Sequence, residues 1–331
     1  MSEYNSSASF YARANSEVTT VGVVDNITLK DDWRDRELPL KIYYPQEEGS
    51  FPVIIFSHGA GGSKESFSYL SRFWSSCGYV CLHPTHFGSD LSVLQEIGLQ
   101  ALLETTNDAK LWLERPQDIT FLIDSLGELQ RRVPQLKGKI NQSLIGVSGH
   151  SYGAYTTMLL AGAMIEMPGG GRVTFRDDRA KVFLAISPPG TERQGLNKRS
   201  WDRINVPMMM VSGSKDGGWE GKPPSWRLDA FNSMQSGDKY HVLVEGANHF
   251  SFDLQMNLTR TIEPTMSRGN RALKTRELFE LDRRMRIKVY LQTASTAFWD
   301  AYLKSESSAK EYLSSDSLQV CSDGEVEVFL K

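Results

Sequence analysis

Cysteine is scarce. Cys77, Cys81 and Cys321 are the three in a chain of 331 residues, so a disulfide framework is excluded and at most one bridge could form within the chain. The apparent helix around Cys77 and strand around Cys81 suit small buried residues better than redox centres. Long apolar runs are missing as well: none approaches the ~20 residues of a membrane-spanning helix. Charge of one sign is not in excess. Lysine and arginine number 37 against 40 aspartate and glutamate, a net charge of −3 with no obvious basic cluster, which argues against nucleic acid as a main partner. No internal repeat or low-complexity segment occurs. Met1 to Asn15 is polar and lacks the apolar core of a secretory signal, the pattern of a cytoplasmic protein or of a secreted one whose signal has been removed.

What remains is a globular composition, 40% apolar and 23% charged, long enough for one large α/β domain or two smaller ones. Residues 1–18 read as an arm ordered by docking on a single domain over 19–331. Val18 to Leu29 and Leu38 to Tyr44 read as two strands of an antiparallel edge, divided by the charged turn Lys30 to Glu37. From Val53 the pattern changes. Val53-Ile54-Ile55-Phe56, Tyr79 to Leu82, Leu144 to Val147 and Val206 to Val211 are short continuous apolar runs, and Ala180 to Ile186 and Tyr240 to Val244 are broken only by Lys181 and His241, the mark of parallel strands covered on both faces. Helical patterns alternate with them. Phe67, Leu70, Trp74 and Cys77 share one face, and Arg115-Pro116-Gln117-Asp118 starts another helix, with proline in its first turn. Thr275 to Lys304 closes the series, and Ser314 to Lys331 adds a short strand or packs at the edge. Residues 91–113 and 253–275 are excursions that could border a site, the second with Met256 and Met266 on an adaptable apolar surface.

Chemistry concentrates in Gly149-His150-Ser151-Tyr152-Gly153, set between the strand at Leu144 and an apolar helix from Ala154 to Ala163. A serine on so sharp a strand-to-helix turn takes a strained backbone, and glycines two residues to either side let strand and helix pass closely. Its oxygen then stands at a helix N-terminus, where the Tyr152 amide and the helix dipole favour negative charge. The pentapeptide alone arises by chance often enough to be an idle glycine-rich turn, so the partners decide. Upstream, Ser57-His58-Gly59-Ala60-Gly61-Gly62-Ser63 can bring backbone amides against a ligand oxygen, Ala60 first and Gly59 or Gly61 behind it. Its spacing matches neither common phosphate-binding pattern. Downstream, Asp216 follows a central strand in a Gly/Ser loop, ahead of Asp177, Asp178 and Asp238 as candidate acid. His249 comes last, just past the strand Tyr240 to Val244. The other histidines are placed worse: His58 and His150 lie inside motifs, His83 and His86 precede the serine, and His241 is within a strand. His83 and His86 in their Pro/Gly loop lack a third ligand at metal-site spacing. Gly59, Gly61, His150, Trp219, Phe250 and Phe252 neighbour these residues and are candidate pocket positions, with Tyr152.

These residues resemble the α/β-hydrolase superfamily, and among its members the proteins called predicted dienelactone hydrolases, which are related to platelet-activating factor acetylhydrolase and the cutinase-like esterases. Four stretches carry the likeness: Arg34 to Pro39 with Tyr44-Pro45, Phe56 to Gly62, Glu114-Arg115-Pro116-Gln117-Asp118, and Gly149 to Ala154. The resemblance implies a mostly parallel central sheet with helices on both faces, and a serine carboxylic-ester hydrolase with Ser151, Asp216 and His249 as triad and oxyanion amides from Ala60 and Tyr152. It implies a small-molecule or lipid ester as partner, with no metal or organic cofactor. Enzymes that open dienelactone use a cysteine nucleophile, whereas Ser151 stands here. A lipase-like or polyester-cleaving enzyme, a peptidase of the same fold and a binding protein that keeps the fold without turnover are the alternatives.

Overall fold

A computed structural model describes Tyr11, residues 19–253 and residues 275–331. In chain order β1 (Val21–Asp31), β2 (Arg36–Pro45), β3 (Phe51–Ser57), β4 (Val80–Pro84) and β5 (Ile140–His150) come first. A small hairpin, β6 (Met164–Glu166) and β7 (Arg172–Thr174), then precedes β8 (Ala180–Ile186), β9 (Met208–Gly213), β10 (Lys239–Val244) and β11 (Val326–Leu330). All but the hairpin join one nine-stranded sheet in the order β1-β2-β4-β3-β5-β8-β9-β10-β11. The six strands from β4 to β10 pair in parallel, while β1, β2 and β11 make antiparallel edges.

The apolar runs explain the layering. Along β3, Val53 and Ile55 point into one core and Ile54 and Phe56 into the other, each at most 1% exposed, so both faces of the strand are dry. One core takes α3 (Ala109–Asp124) and α5 (Tyr152–Ala161) through Ile119, Leu122, Met158 and Leu159; the other takes α1 (Ser68–Ser76) and α7 (Thr275–Leu303) through Leu70, Trp74, Leu291 and Trp299. Trp74 meets Trp299 edge-on at 5.7 Å, and its indole N–H donates to Ser295 Oγ at 3.0 Å. Full burial of each such ring is worth about 3 kcal/mol, which pins α1 to α7 on one face of the sheet. Because β3, β5, β9 and β10 are parallel, the segments that follow them emerge on one rim.

The helix expected to begin at Arg115-Pro116 begins two turns earlier, at Ala109. Asp108 caps it, its carboxylate accepting the Lys110 amide at 2.9 Å, and the apolar stripe continues through Pro116, outweighing the single hydrogen bond that proline removes. The excursion at 91–113 is therefore α2 (Leu91–Thr105), capped by Asp90, with a backbone break at Gly98 (φ 78°, ψ 169°), followed by the first turn of α3. Short helices α4 (Leu126–Arg132), α6 (Asp229–Ser233), α8 (Ser307–Ser314) and α9 (Ser317–Cys321) were not read from the sequence, being too brief to show a period. Tyr11 is buried against Tyr312 and donates to Glu306. The rest of the arm at 1–18, and residues 254–274 with Met256 and Met266, lie outside the described residues. Among the described residues no helix is long and apolar enough to cross a membrane.

Candidate active site

Ser151 sits between β5 and α5 with φ 56° and ψ −113°, a backbone that a non-glycine residue adopts only under constraint. The constraint is the crossing of strand and helix. A Cβ on Gly149 would fall 2.4 Å from the Gly153 carbonyl, and one on Gly153 would fall 1.8 Å from the Ser57 carbonyl oxygen. Both glycines are needed for the close approach read from the sequence.

Three side chains from three segments meet at the rim. Ser151 Oγ lies 2.9 Å from His249 Nε2, and His249 Nδ1 lies 3.1 Å from Asp216 Oδ1. His249 follows β10 and is steadied from behind by His150, whose Nε2–H donates to the His249 carbonyl at 3.0 Å. Asp216 follows β9 and is fully buried. Burial would raise its pKa, but the hydrogen bond from His249 and the Arg227 charge outweigh it and hold the carboxylate at about 2. Burial lowers the His249 pKa, and Arg227 lowers it further against the pull of Asp216, so the imidazole is a free base near neutrality. His150, buried beside it, is pushed down to about 3 and stays neutral. With Nδ1–H directed at Asp216, Nε2 presents its lone pair to the serine hydroxyl, which is the arrangement for proton abstraction.

The loop after β3 brings Ala60 against the serine. Among the described residues the amides of Ala60 and Tyr152 donate to no protein acceptor, leaving two N–H groups at the helix N-terminus beside Ser151. A recess of about 40 Å³ lined by Ala60, Tyr152, Pro189, Trp226 and Leu103 opens at Ser151. A second recess of similar size has Gly59, His150, His249, Trp219 and Phe250 on its walls. Both lead toward a groove of about 510 Å³ between Leu99, Leu103 and Trp219, the size of a small-molecule site.

A chlorophyllase family model matches residues 8–168, a stretch that holds Ala60 and Ser151 and stops short of Asp216 and His249. Chlorophyllase-1 of Citrus unshiu is 30% identical over 123 residues, 37% of this chain and 32% of that protein. Cutinase est1 of Thermobifida alba is 25% identical over 212 residues, 63% of this chain and 57% of that protein. The cutinase of Thermobifida fusca is 23% identical over 63% of this chain and 56% of its own. The chain thus spans about a third of the chlorophyllase and a little over half of the cutinases that it matches. Sheet order, elbow and these relatives agree. The chain has the α/β-hydrolase fold.

Two pocket expectations for this α/β-hydrolase are corrected. Gly61 faces away from the serine, its amide donating to the Ser89 carbonyl at 2.9 Å, so it is no oxyanion donor; Phe252 is fully buried in the core beneath α7. The weaker acid candidates are paired elsewhere, Asp177 with Arg179, Asp178 with Arg176 and Asp238 with Lys310. His83 bonds Ser71 and His241 bonds Ser212, both buried. His86 builds a second relay. Its Nε2 lies 2.9 Å from Ser57 Oγ and its Nδ1 2.9 Å from Asp118 Oδ2, all three residues fully buried. Asp118 also takes Arg34 and Arg36, each at 2.9 Å.

Sequence reasoning missed Arg227. It is 3% exposed, donates to Asp216 Oδ1 at 2.8 Å, brings Nη2 to 2.9 Å from His249 Nδ1, and binds the carbonyls of Ser187, Pro188 and Gly217. A lone arginine in a loop with no motif gives no signal of such a role. Trp226 was missed as a pocket wall for the same reason, whereas Leu99 and Leu103 lie in the 91–113 excursion that was expected to border a site.

Proposed function

We propose that this α/β-hydrolase is a serine carboxylic-ester hydrolase, with Ser151 as nucleophile, His249 as general base and acid, Asp216 as the carboxylate that holds the imidazole, and the amides of Ala60 and Tyr152 as oxyanion donors. The observation that carries the reading is the hydroxyl-imidazole-carboxylate chain, 2.9 Å and 3.1 Å, hung from a positive-φ elbow. Ser151 Oγ bonds to the ester carbonyl carbon as its proton passes to His249 Nε2, and the carbonyl electron pair moves onto oxygen. Collapse of that intermediate breaks the bond to the alcohol, which leaves with the His249 proton. Water then gives a proton to His249 and its hydroxide to the acyl carbon, releasing the acid and returning the proton to Ser151. Each amide directed at the oxyanion is worth about 3 kcal/mol in the transition state.

The recess at Ser151 holds only about two or three water-sized groups, which suits a short to medium acyl chain. The larger groove lined by Leu99, Leu103 and Trp219 suits a bulkier apolar partner, and that observation favours a lipid-like ester as the second reading. Hydrolysis of p-nitrophenyl esters of rising chain length tests both, with Ser151→Ala and a fluorophosphonate probe alongside. The expected result is labelled, active parent and an unlabelled variant slowed at least about 10⁴-fold. A parent inactive at every length, or an alanine variant as active as the parent, overturns the reading.

A further inference from the structure

Arg115 on α3 is a buried cation, 1% exposed, with no carboxylate within 4.0 Å among the described residues. Asp118, one turn on, is taken by Arg34, Arg36 and His86. A methionine would fill the same space without the desolvation cost of an unpaired charge, so packing alone does not account for this residue. Its partners do. Arg115 Nη2 donates to the His58 carbonyl and, at 3.1 Å, to Ser57 Oγ. Nη1 donates to Ser89 Oγ at 2.8 Å, and the Ser89 carbonyl in turn accepts the Gly61 amide. Nε donates to Thr156 Oγ1 at 3.3 Å, and that hydroxyl bonds the Tyr152 carbonyl at 3.1 Å. The guanidinium carbon lies 4.5 Å from the centre of the Tyr152 ring.

All of these contacts but one end on a segment that carries a candidate oxyanion amide, the loop from Ser57 to Gly61 or the start of α5, and the exception, Ser89, itself holds the Gly61 amide of that loop. We propose that Arg115 is a positioning residue for the oxyanion pocket, fastening the Ala60 loop to the Tyr152 helix turn so that both amides converge on one oxygen. The guanidinium also places positive charge behind the two donors, with Asp118 and Asp90 acting on it through space and neither paired to it. Burial brings its pKa down only to about 10, so the charge is present at every working pH. The inference rests on the esterase reading above.

The test compares Arg115→Met and Arg115→Lys with the parent on p-nitrophenyl butyrate and measures inhibition by a boronic acid, which forms a tetrahedral anion on the serine. Loss of one oxyanion donor is the scale, so kcat in Arg115→Met should fall roughly 100- to 1,000-fold with KM within twofold. Boronic acid affinity should fall in proportion to kcat/KM, while the acid limb of the pH profile stays where it is in the parent, since the His249 relay is untouched. Arg115→Lys, which keeps the charge but not the fork, should lie between. A folded Arg115→Met with kcat/KM within threefold of the parent, or a loss confined to KM, overturns the proposal. Should the methionine variant fail to fold, Arg115→Lys decides, and parental kcat with parental inhibition refutes it. An inactive parent refutes the esterase reading and this inference together, whereas an active parent with an undamaged variant refutes the inference alone.

Discussion

Gly153→Ala tests the physical core of the site with one carbon atom. The new Cβ would stand 1.8 Å from the Ser57 carbonyl oxygen, 2.6 Å from its carbon and 2.8 Å from the His58 carbonyl oxygen. All three are backbone atoms at the end of β3, so no side chain can swing aside. The strand end has to retreat by more than an ångström, and it carries Ala60 with it. A displacement of about 1 Å in a positioned group costs on the order of 100-fold in rate, and complete loss of one oxyanion donor up to about 1,000-fold. Overpacking costs about 1–3 kcal/mol in stability, and at roughly 2–4 °C per kcal/mol the melting point should drop by about 2–12 °C. The assay is kcat on p-nitrophenyl butyrate beside a thermal melt, with Gly169→Ala as control because no atom lies within 4 Å of its added Cβ. A Gly153→Ala variant with parental kcat and melting temperature would refute the account of why glycine stands there.

Arg227→Met removes the cation beside His249, so the His249 pKa should rise and the acid limb of kcat/KM, expected below pH 6.5 in the parent, should move upward; a profile that does not move in folded Arg227→Met, or that moves as far in Arg227→Lys, which keeps the charge, contradicts the assignment. The charged and titratable neighbours that remain in that profile are Asp216, the neutral His150 and Asp253 on the shared recess. Trp219→Ala opens the groove wall, and loss of about 1.4 kcal/mol of apolar contact should raise KM roughly tenfold for the longest esters while leaving acetate nearly unchanged. Burial holds the folded-state pKa of His83 and His150 at about 3 and of His86 and His241 at about 4, below the ordinary 6.5 of the unfolded chain. Below pH 6.5 the unfolded state therefore binds more protons, and stability should fall by up to about 1.4 kcal/mol per pH unit for each histidine as pH drops toward 4. Thermal midpoints measured from pH 7 to pH 5 should decline, and a flat profile would sink the claim.

The legible parts of the sequence were those with a local physical signature. Val53 to Phe56, Ala180 to Ile186 and Met208 to Val211 read as two-faced strands because every residue but Lys181 is apolar, and each forms a parallel strand of the sheet. Ser151, Asp216 and His249 were found by position at strand ends, a property that survives without knowing any contact, and the fold brings them within hydrogen-bonding distance. Contacts between distant segments were not legible. Arg227 acts through a turn 11 residues from Asp216, and nothing in its neighbours' identities distinguishes it from a solvated arginine. The start of α3 was misplaced because proline was weighed as an N-terminal signal when the Asp108 cap lay about two turns earlier.

The two Ser-His-Asp relays show what geometry can and cannot decide. Ser57, His86 and Asp118 are spaced as well as Ser151, His249 and Asp216, so a search by distance would return both. Their surroundings differ in ways chemistry can use. Ser57 ends a regular strand, its oxygen already takes an arginine N–H, and its relay lines neither recess; Ser151 stands on a positive-φ elbow between two recesses with idle amides at its side. Asp118 is shared among His86, Arg34 and Arg36, so its charge is spent on holding the β1–β2 turn to α3, whereas among the described residues the cationic or imidazole partners of Asp216 are Arg227 and His249. The inner relay therefore buttresses the outer one: it fixes the β3 end from which the Ala60 loop departs. Three of the four sequence stretches that suggested the superfamily converge on this brace, Arg34 and Arg36 from the first, Ser57 from the second, Arg115 and Asp118 from the third. What read as separate motifs is one polar scaffold under the Ala60 loop.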